Sequence, residues 1–293
     1  MLSSQKFRRD PLGLALNRKA QLEAPGAAEG KTMAAGDGWR VVDIVCTSGP
    51  RDRAFEEQHT WASISLVRSG TFVYRSHHGR SLMAPGAMLL GSPGNAFECS
   101  HQHGEGDRCL SFQYDPGLFA RLAHDAGASH LAFAGGCLPP LRALAPLTAR
   151  AATAMERQDS FEEISLELAS AVIQTVGDAR RNATVAARDP APIAPVLRQL
   201  ESRAVEPLTL GEMARIAGLS RYHFLRTFKA VTGITPHQWL LRARLRDAAR
   251  RLATSRDPVT EIALDVGFED LSNFIRSFRS EFGVSPSRYR ATA

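Results

Sequence analysis

Glu212-Met-Ala-Arg-Ile-Ala-Gly218 and Glu261-Ile-Ala-Leu-Asp-Val-Gly267 are one phrase written twice. After one extra turn residue the match resumes. Phe224, Arg226, Phe228, Lys229, Gly233 and Pro236 pair with Phe274, Arg276, Phe278, Arg279, Gly283 and Pro286. A repeat this dense means that one supersecondary unit occurs twice. In the first copy Thr209 and Glu212 make a capping box for a helix to Ala217; in the second, Val259 or Thr260 starts a helix to Val266. Gly218 and Gly267 then supply left-handed turns. Ser220 and Asp270 cap the second helices, Arg221 to about Val231 and Leu271–Phe282. Two phenylalanines four residues apart bury one face of each. Arg221, Tyr222, Leu225, Arg226 and Lys229 are left outward on the first, and Leu271, Ser272, Asn273, Arg276 and Arg279 on the second. A short helix, a glycine turn and a second helix with polar side chains near its start is the unit that enters a DNA major groove.

Between the copies, Pro236–Thr254 reads as one long basic helix with Trp239, Leu240, Ala243, Leu245 and Leu252 as packing residues. It sets the distance between the units. Charge points the same way. From Pro190 onward sixteen Arg and Lys face ten Asp and Glu, a net of +6, which is also the net charge of the whole chain (36 against 30). Residues 1–189 therefore sum to zero, and all the excess positive charge lies where a polyanion would be met.

The segment Ile193 to Tyr289 resembles the DNA-binding domain of the AraC/XylS family of bacterial transcriptional regulators. The resemblance is carried by Gly267-Phe-Glu-Asp270, by Phe274 with Arg276-Ser-Phe-Arg279, and by Gly283-Val-Ser-Pro-Ser-Arg-Tyr-Arg290, and it spans about a third of the chain. It implies a seven-helix domain whose recognition helices enter successive major grooves on one DNA face. It implies base reading by Tyr222, Leu225 and Arg226 in one unit and by Leu271, Ser272, Asn273 and Arg276 in the other. Leu225 departs from the polar residue often found there and suits a thymine methyl. It further implies an upstream barrel that senses a small-molecule effector or mediates dimerisation, RNA polymerase as a partner, activation of transcription and a homodimer in the cytoplasm.

The rest of the chain reads as follows. Residues 1–37 lack periodicity and are expected to be a flexible segment, with Met33 as an alternative start. Residues 38–114 carry short β-like runs: Arg40–Cys46, Ser63–Arg68, Thr71–Ser76, Ala87–Leu90 and Leu110–Tyr114. Turn residues punctuate them, the pattern of a small barrel or jelly roll, and Leu82–Leu90 is similar to a strand-turn-strand of cupins. Residues 115–182 are expected to be a helical connector: one helix from Asp115-Pro116 to near Gly127, one over Leu138–Gln158, and one from the Ser160 capping box to about Arg181. The last has an apolar stripe of Ile164, Leu168, Ala171 and Val172, read as a dimer surface. Proline-rich residues 183–192 form a linker, and residues 193–293 the DNA-binding domain. The fold class is α+β, a cupin-like β-barrel with a helical connector followed by an all-α domain.

Other functions have little to rest on. The apolar stretch Leu12–Leu16 is too short for a secretory signal, and no run is long enough for a membrane helix. Cys46, Cys99, Cys109 and Cys137 form no CxxC pair and do not resemble the four-cysteine zinc site of alkyl-acceptor repair proteins. The cluster Cys99-Ser-His-Gln-His-Gly-Glu-Gly-Asp-Arg-Cys109 offers His101, His103 and Cys109 as metal-ligand candidates. The plainer reading, a polar loop between two strands, is preferred, and no metal, cofactor or catalytic residue is expected. The alternative is a cupin-type metal-dependent enzyme tethered to a DNA-binding domain.

Overall fold

The computed structural model describes residues 10–102, 104–126, 132–133, 135–157, 161–179, 190–202 and 208–292. The N-terminal half is built on two antiparallel sheets. Their strands are β1 (Ala28–Gly36), β2 (Trp39–Cys46), β3 (Phe55–Gln58), β4 (Ala62–Gly70), β5 (Phe72–Ser76), β6 (Gly79–Met83), β7 (Met88–Gly91), β8 (Ala96–Ser100), β9 (Asp107–Tyr114) and β10 (Cys137–Leu138). One sheet runs β1-β2-β9-β4-β7-β10 and the other β3-β8-β5-β6, the two-sheet arrangement expected from the turn spacing.

Side-chain alternation along β9 decides what each face meets. Leu110, Phe112 and Tyr114 join Val41, Ile64 and Leu66 in a core roofed by helices. Cys109 turns the other way, into the interior between the sheets with Val67, Phe72, Tyr74, Met83 and Leu89. The roof consists of α2 (Pro116–Asp125), α3 (Ala145–Arg157) and α4 (Glu162–Ala179), a short helix preceding them being α1 (Pro11–Leu22). The Tyr114 hydroxyl donates to the Ser165 carbonyl at 2.7 Å and ties sheet to roof.

Three expectations are corrected here. Residues 1–37 are not simply a flexible segment. Pro11 opens α1 at its first turn, Leu12 is buried, and Lys19 donates to Asp52 at 2.6 Å. That hydrogen bond, with help from the Gly26 and Gly49 amides, lowers the Asp52 carboxyl to about 2. β1 then pairs with β2 from Ala28↔Cys46 to Gly36↔Trp39. Its side chains are mostly exposed, so the strand is held by backbone bonds and has no apolar alternation to betray it. Second, the helix expected from Leu138 begins at Ala145. Pro139-Pro140 supply no N–H groups and hold the preceding residue extended, so Leu138 pairs with Met88 instead. Third, the α4 stripe is not a dimer surface. Ile164, Leu168 and Val172 are buried against this chain's own sheet, with Ala171 packed beside them. The Ser160 cap lies outside the described residues, as do residues 183–189 of the expected linker.

The C-terminal third has seven helices among the described residues: α5 (Ala194–Ser202), α6 (Leu210–Ile216), α7 (Arg221–Thr232), α8 (Pro236–Thr254), α9 (Val259–Asp265), α10 (Leu271–Phe282) and α11 (Pro286–Thr292). It contains two cores. Phe224, Phe228 and Trp239 fill the first with Ile193, Leu197 and Leu200. Phe274, Phe278 and Tyr289 fill the second with Leu245, Leu252 and Ile262. The halves are packed together. Ala84 of the barrel enters the first core. Ala145 and Ala149 of α3 enter the second, while Ala151 and Ala154 of the same helix sit under the sheet. Among the described residues no helix is long and apolar enough to cross a membrane.

Leu168 is wholly buried in the roof. Leu168→Ala is expected to lower stability by about 2–5 kcal/mol through lost transfer energy and a cavity. Denaturant unfolding should show that loss to be independent of protein concentration. A concentration-dependent loss would return the stripe to an intermolecular role.

Candidate nucleic-acid interface

Each repeat builds its outward helix by the same local devices. Thr209 accepts from the Glu212 amide at 3.2 Å while Glu212 accepts from the Thr209 amide at 2.7 Å, completing the capping box of α6. Ser220 then caps α7 through the His223 amide. In the second copy Pro258 precedes α9 with no side-chain cap, and Asp270 caps α10 more strongly, accepting from the Ser272 and Asn273 amides at 3.0 and 2.9 Å. Both outward helices end on glycines with a φ of 79°.

The turn before α10 requires its glycine twice over. Gly267 has a φ of 91°, and a Cβ there would come 2.9 Å from the Arg244 guanidinium. Arg244 occupies that space because its Nη1 donates to the Gly267 carbonyl at 2.7 Å.

Aromatic packing fixes which face looks out. Phe224 and Phe228 are fully buried, with ring centroids 5.5 Å apart. Phe274 and Phe278 repeat this at 5.6 Å, and Tyr289 lies edge-on to Phe278 at 5.4 Å. Helical geometry then turns Arg221, Leu225, Arg226 and Lys229 to the surface of α7, and Leu271, Ser272, Asn273, Arg276 and Arg279 to the surface of α10. All nine are exposed, as the repeat implied. Tyr222 lies on α7, but its side chain is outside the described residues. Among the described residues the side chains of Arg221, Lys229, Arg276 and Arg279 make no ion pair. The Arg221 guanidinium lies over α6, where a Cβ on Gly211 would come within 3.2 Å of it. Asn273 is engaged by Ser277, which donates at 3.4 Å.

One exposed residue escaped the sequence reading. Ile275 is 38 % exposed and stands in α10 where Leu225, also 38 % exposed, stands in α7. Both units thus present an aliphatic side chain next to an arginine, and the signal lay in the repeat itself, fifty positions apart. With Ser272, Arg276, Arg279 and Ser280, Ile275 lines a shallow open groove.

Comparison with known proteins agrees with this geometry. A family model described as a helix-turn-helix domain matches residues 213–292. Over 97 residues, 33% of this chain and 76% of the relative, the chain is 31% identical to the multiple antibiotic resistance protein MarA of Escherichia coli (strain K12). Over 95 residues, 32% of this chain and 69% of the relative, it is 37% identical to the transposon Tn10 TetD protein of Escherichia coli. The chain belongs to the AraC/XylS family. Among solved structures, the DNA-binding domain of AdpA, in complex with a target DNA, is 36% identical over 34% of this chain and 91% of that one, with a TM-score of 0.33. The match covers only 37% of the probable transcriptional regulator LumQ of Photobacterium leiognathi, at 35% identity, and 32% of the regulator MtrA of Neisseria gonorrhoeae. In this AraC/XylS chain the resemblance stops at the helical third.

The metal-ligand candidates are placed differently from one another. His101 is buried, with Nε2 at 2.6 Å from Asp107 Oδ2. The buried Cys109 thiol donates to Asp107 Oδ1 at 3.3 Å. His103 lies outside the described residues. Cys46, which sequence reasoning left aside, joins His101 and Asp107.

Gly267→Ala forces a left-handed residue to carry a Cβ and displaces Arg244. It is expected to cost at least about 1–2 kcal/mol, read as a shift in the denaturant midpoint followed by helical circular dichroism. An unchanged midpoint would mean that the turn is not rigidly defined.

Proposed function

We propose that this chain is a sequence-specific DNA-binding transcriptional regulator, an effector-responsive activator acting inside the cell. Each subunit lays α7 and α10 into two successive major grooves on one face of the duplex. One observation carries this reading: two capped, rigidly packed helices offer outward the same residue types at the same positions. Leu225 answers to Ile275, Arg226 to Arg276, and Lys229 to Arg279.

The chemistry fits a duplex. Arg226 and Arg276 have the fork that meets guanine O6 and N7, Leu225 and Ile275 suit thymine methyls, and Asn273 suits adenine. Arg221, Lys229 and Arg279 supply charge to phosphates, which set affinity rather than sequence. Tyr222, Leu271 and Ser272 complete the reading heads. Relatives support regulation: MarA by its family, and AarP of Providencia stuartii, 31% identical over 73% of its length, as a transcriptional activator.

The division of labour follows: 38–114 as the sensor barrel with the strand at 28–36 added to its sheet, 115–182 as the connector, 183–192 as the linker and 193–293 as the DNA-binding domain. RNA polymerase, a small-molecule effector and a second copy of the chain are the proposed partners. Any dimer uses a surface other than the α4 stripe. The tethered-enzyme alternative has no specific observation in its favour, and no catalytic residue is assigned.

Binding of the full chain to duplex DNA should weaken along a straight line of log affinity against log salt, through release of counterions. Salt-insensitive binding, or none, would sink the nucleic-acid reading. Within that binding, Arg226→Ala should cost about 1–3 kcal/mol at the preferred site and relax selection at one base pair. Arg276→Ala should do the same, or weaken all sequences equally if it holds phosphate. The check is binding-site selection with each variant. Retention of wild-type affinity and sequence by Arg226→Ala would remove α7 as a reading head.

A further inference from the structure

At one end of the sandwich the register of β2 and β9 sets Cys46 opposite Asp107. β8 belongs to the other sheet, and the chain leaving it delivers His101 to the same place. The three side chains are buried, Cys46 6 %, His101 4 % and Asp107 5 % exposed. One sulfur, one imidazole nitrogen and one carboxylate oxygen lie within 4.8 Å of one another.

Two features set this cluster apart from a satisfied polar core. The same end of the sandwich holds three buried polar atoms without a hydrogen-bond partner: His101 Nδ1, Ser48 Oγ and Thr71 Oγ1. Ser48 follows Cys46 by two residues and accepts from the Gly106 amide at 2.8 Å. Thr71 follows Gly70, which stands opposite Asp107 in β9. Buried polar atoms are normally bonded, and a concentration of orphans marks a missing partner. The second feature is charge. A thiolate, a carboxylate and a neutral imidazole together carry two negative charges, an arrangement that burial tolerates only with a compensating cation.

We propose that Cys46, His101 and Asp107 form a binding site for a borderline-soft divalent cation of the zinc class. One sulfur, one nitrogen and one oxygen are ligands that such ions accept together. Tetrahedral coordination wants donors roughly 3.5 Å apart. The His101–Asp107 contact opens by about an ångström, and the wider separations close by a similar amount. As the ion enters, the Cys46 thiol proton and the proton held between His101 and Asp107 leave, so charge is conserved: two protons out, one dication in. The fourth position falls to water or to Cys109, whose thiol already touches Asp107. A thiol–disulfide switch fits less well, because burial pushes the Cys99 and Cys109 thiols well up from their usual range and leaves them unreactive.

The site sits where its occupancy is felt. A Cβ on Gly106 would come 2.7 Å from Leu12 of α1, and one on Gly104 would come 3.3 Å from Arg198 of α5. The loop that carries His101 and leads to Asp107 therefore touches both the N-terminal helix and the DNA-binding third, and a metal that stiffens it stiffens both contacts.

The test uses the reduced, metal-free full-length chain titrated with Co²⁺. One equivalent should bind, with a near-ultraviolet thiolate-to-cobalt band and the visible bands of four-coordinate cobalt, and Zn²⁺ should displace it. Cys46→Ala and His101→Gln should lower affinity by at least about 100-fold and abolish the thiolate band, whereas Cys137→Ser should retain both. Zn²⁺ should raise the Tm of the wild type and of Cys137→Ser but not of Cys46→Ala. Far-ultraviolet circular dichroism tells whether each variant is folded, and Asp107→Asn replaces Cys46→Ala if the latter is not. The proposal is overturned by a wild type without the thiolate band, by a folded Cys46→Ala or Asp107→Asn that binds as the wild type does, or by a band that disappears with Cys137.

Discussion

Helix α8 belongs to two cores at once. Trp239 in its first turn closes the core of the first helix-turn-helix unit, and Leu245, Ala248, Ala249, Leu252 and Ala253 further along close the second. Its 19 residues span about 28 Å, and after Pro236 it contains neither proline nor glycine, the usual sites of a kink. The positions of α7 and α10 relative to each other are therefore settled by one rod. Everything that the outward side chains do depends on that rod staying straight.

The same rod anchors the barrel. Arg242 donates to the Pro140 carbonyl and pairs with Glu281 at 3.3 Å. Arg246 donates to the Pro85 carbonyl at 3.1 Å. Burial lowers the Arg246 guanidinium to about 10 against the pull of Glu201 and Glu281, and burial also raises the Glu201 carboxyl to about 8. Arg244, Arg250, Arg251 and Arg290 likewise bond within the chain. Much of the positive charge that marks this third of the sequence is thus structural. The charge facing outward is the smaller set on α7 and α10.

The repeat was legible because its signals are local: caps at Ser220 and Asp270, glycines at fixed offsets, and phenylalanines one turn apart. The two-sheet body was legible in outline for the same reason, since turn residues punctuate its strands. What could not be read is what depends on distant partners. Periodicity shows that α4 buries a stripe but not that Leu168 meets a sheet rather than a second molecule. β1 is held by backbone bonds, which leave no trace in its side chains. His101 stood out in the sequence, whereas Cys46 joins it only because strand register sets residue 46 opposite residue 107.

β1 closes the six-stranded sheet on one side and has no neighbour on the other. An edge strand of nine residues presents a row of unsatisfied amides and carbonyls that any extended segment could extend. Here the edge carries Glu29 and Lys31 among its exposed residues, and its register breaks between Thr32 and Ala34. Charge and a bulge are the means by which open edges resist templating. The stretch whose composition looked structureless therefore keeps the barrel from growing into a neighbouring molecule.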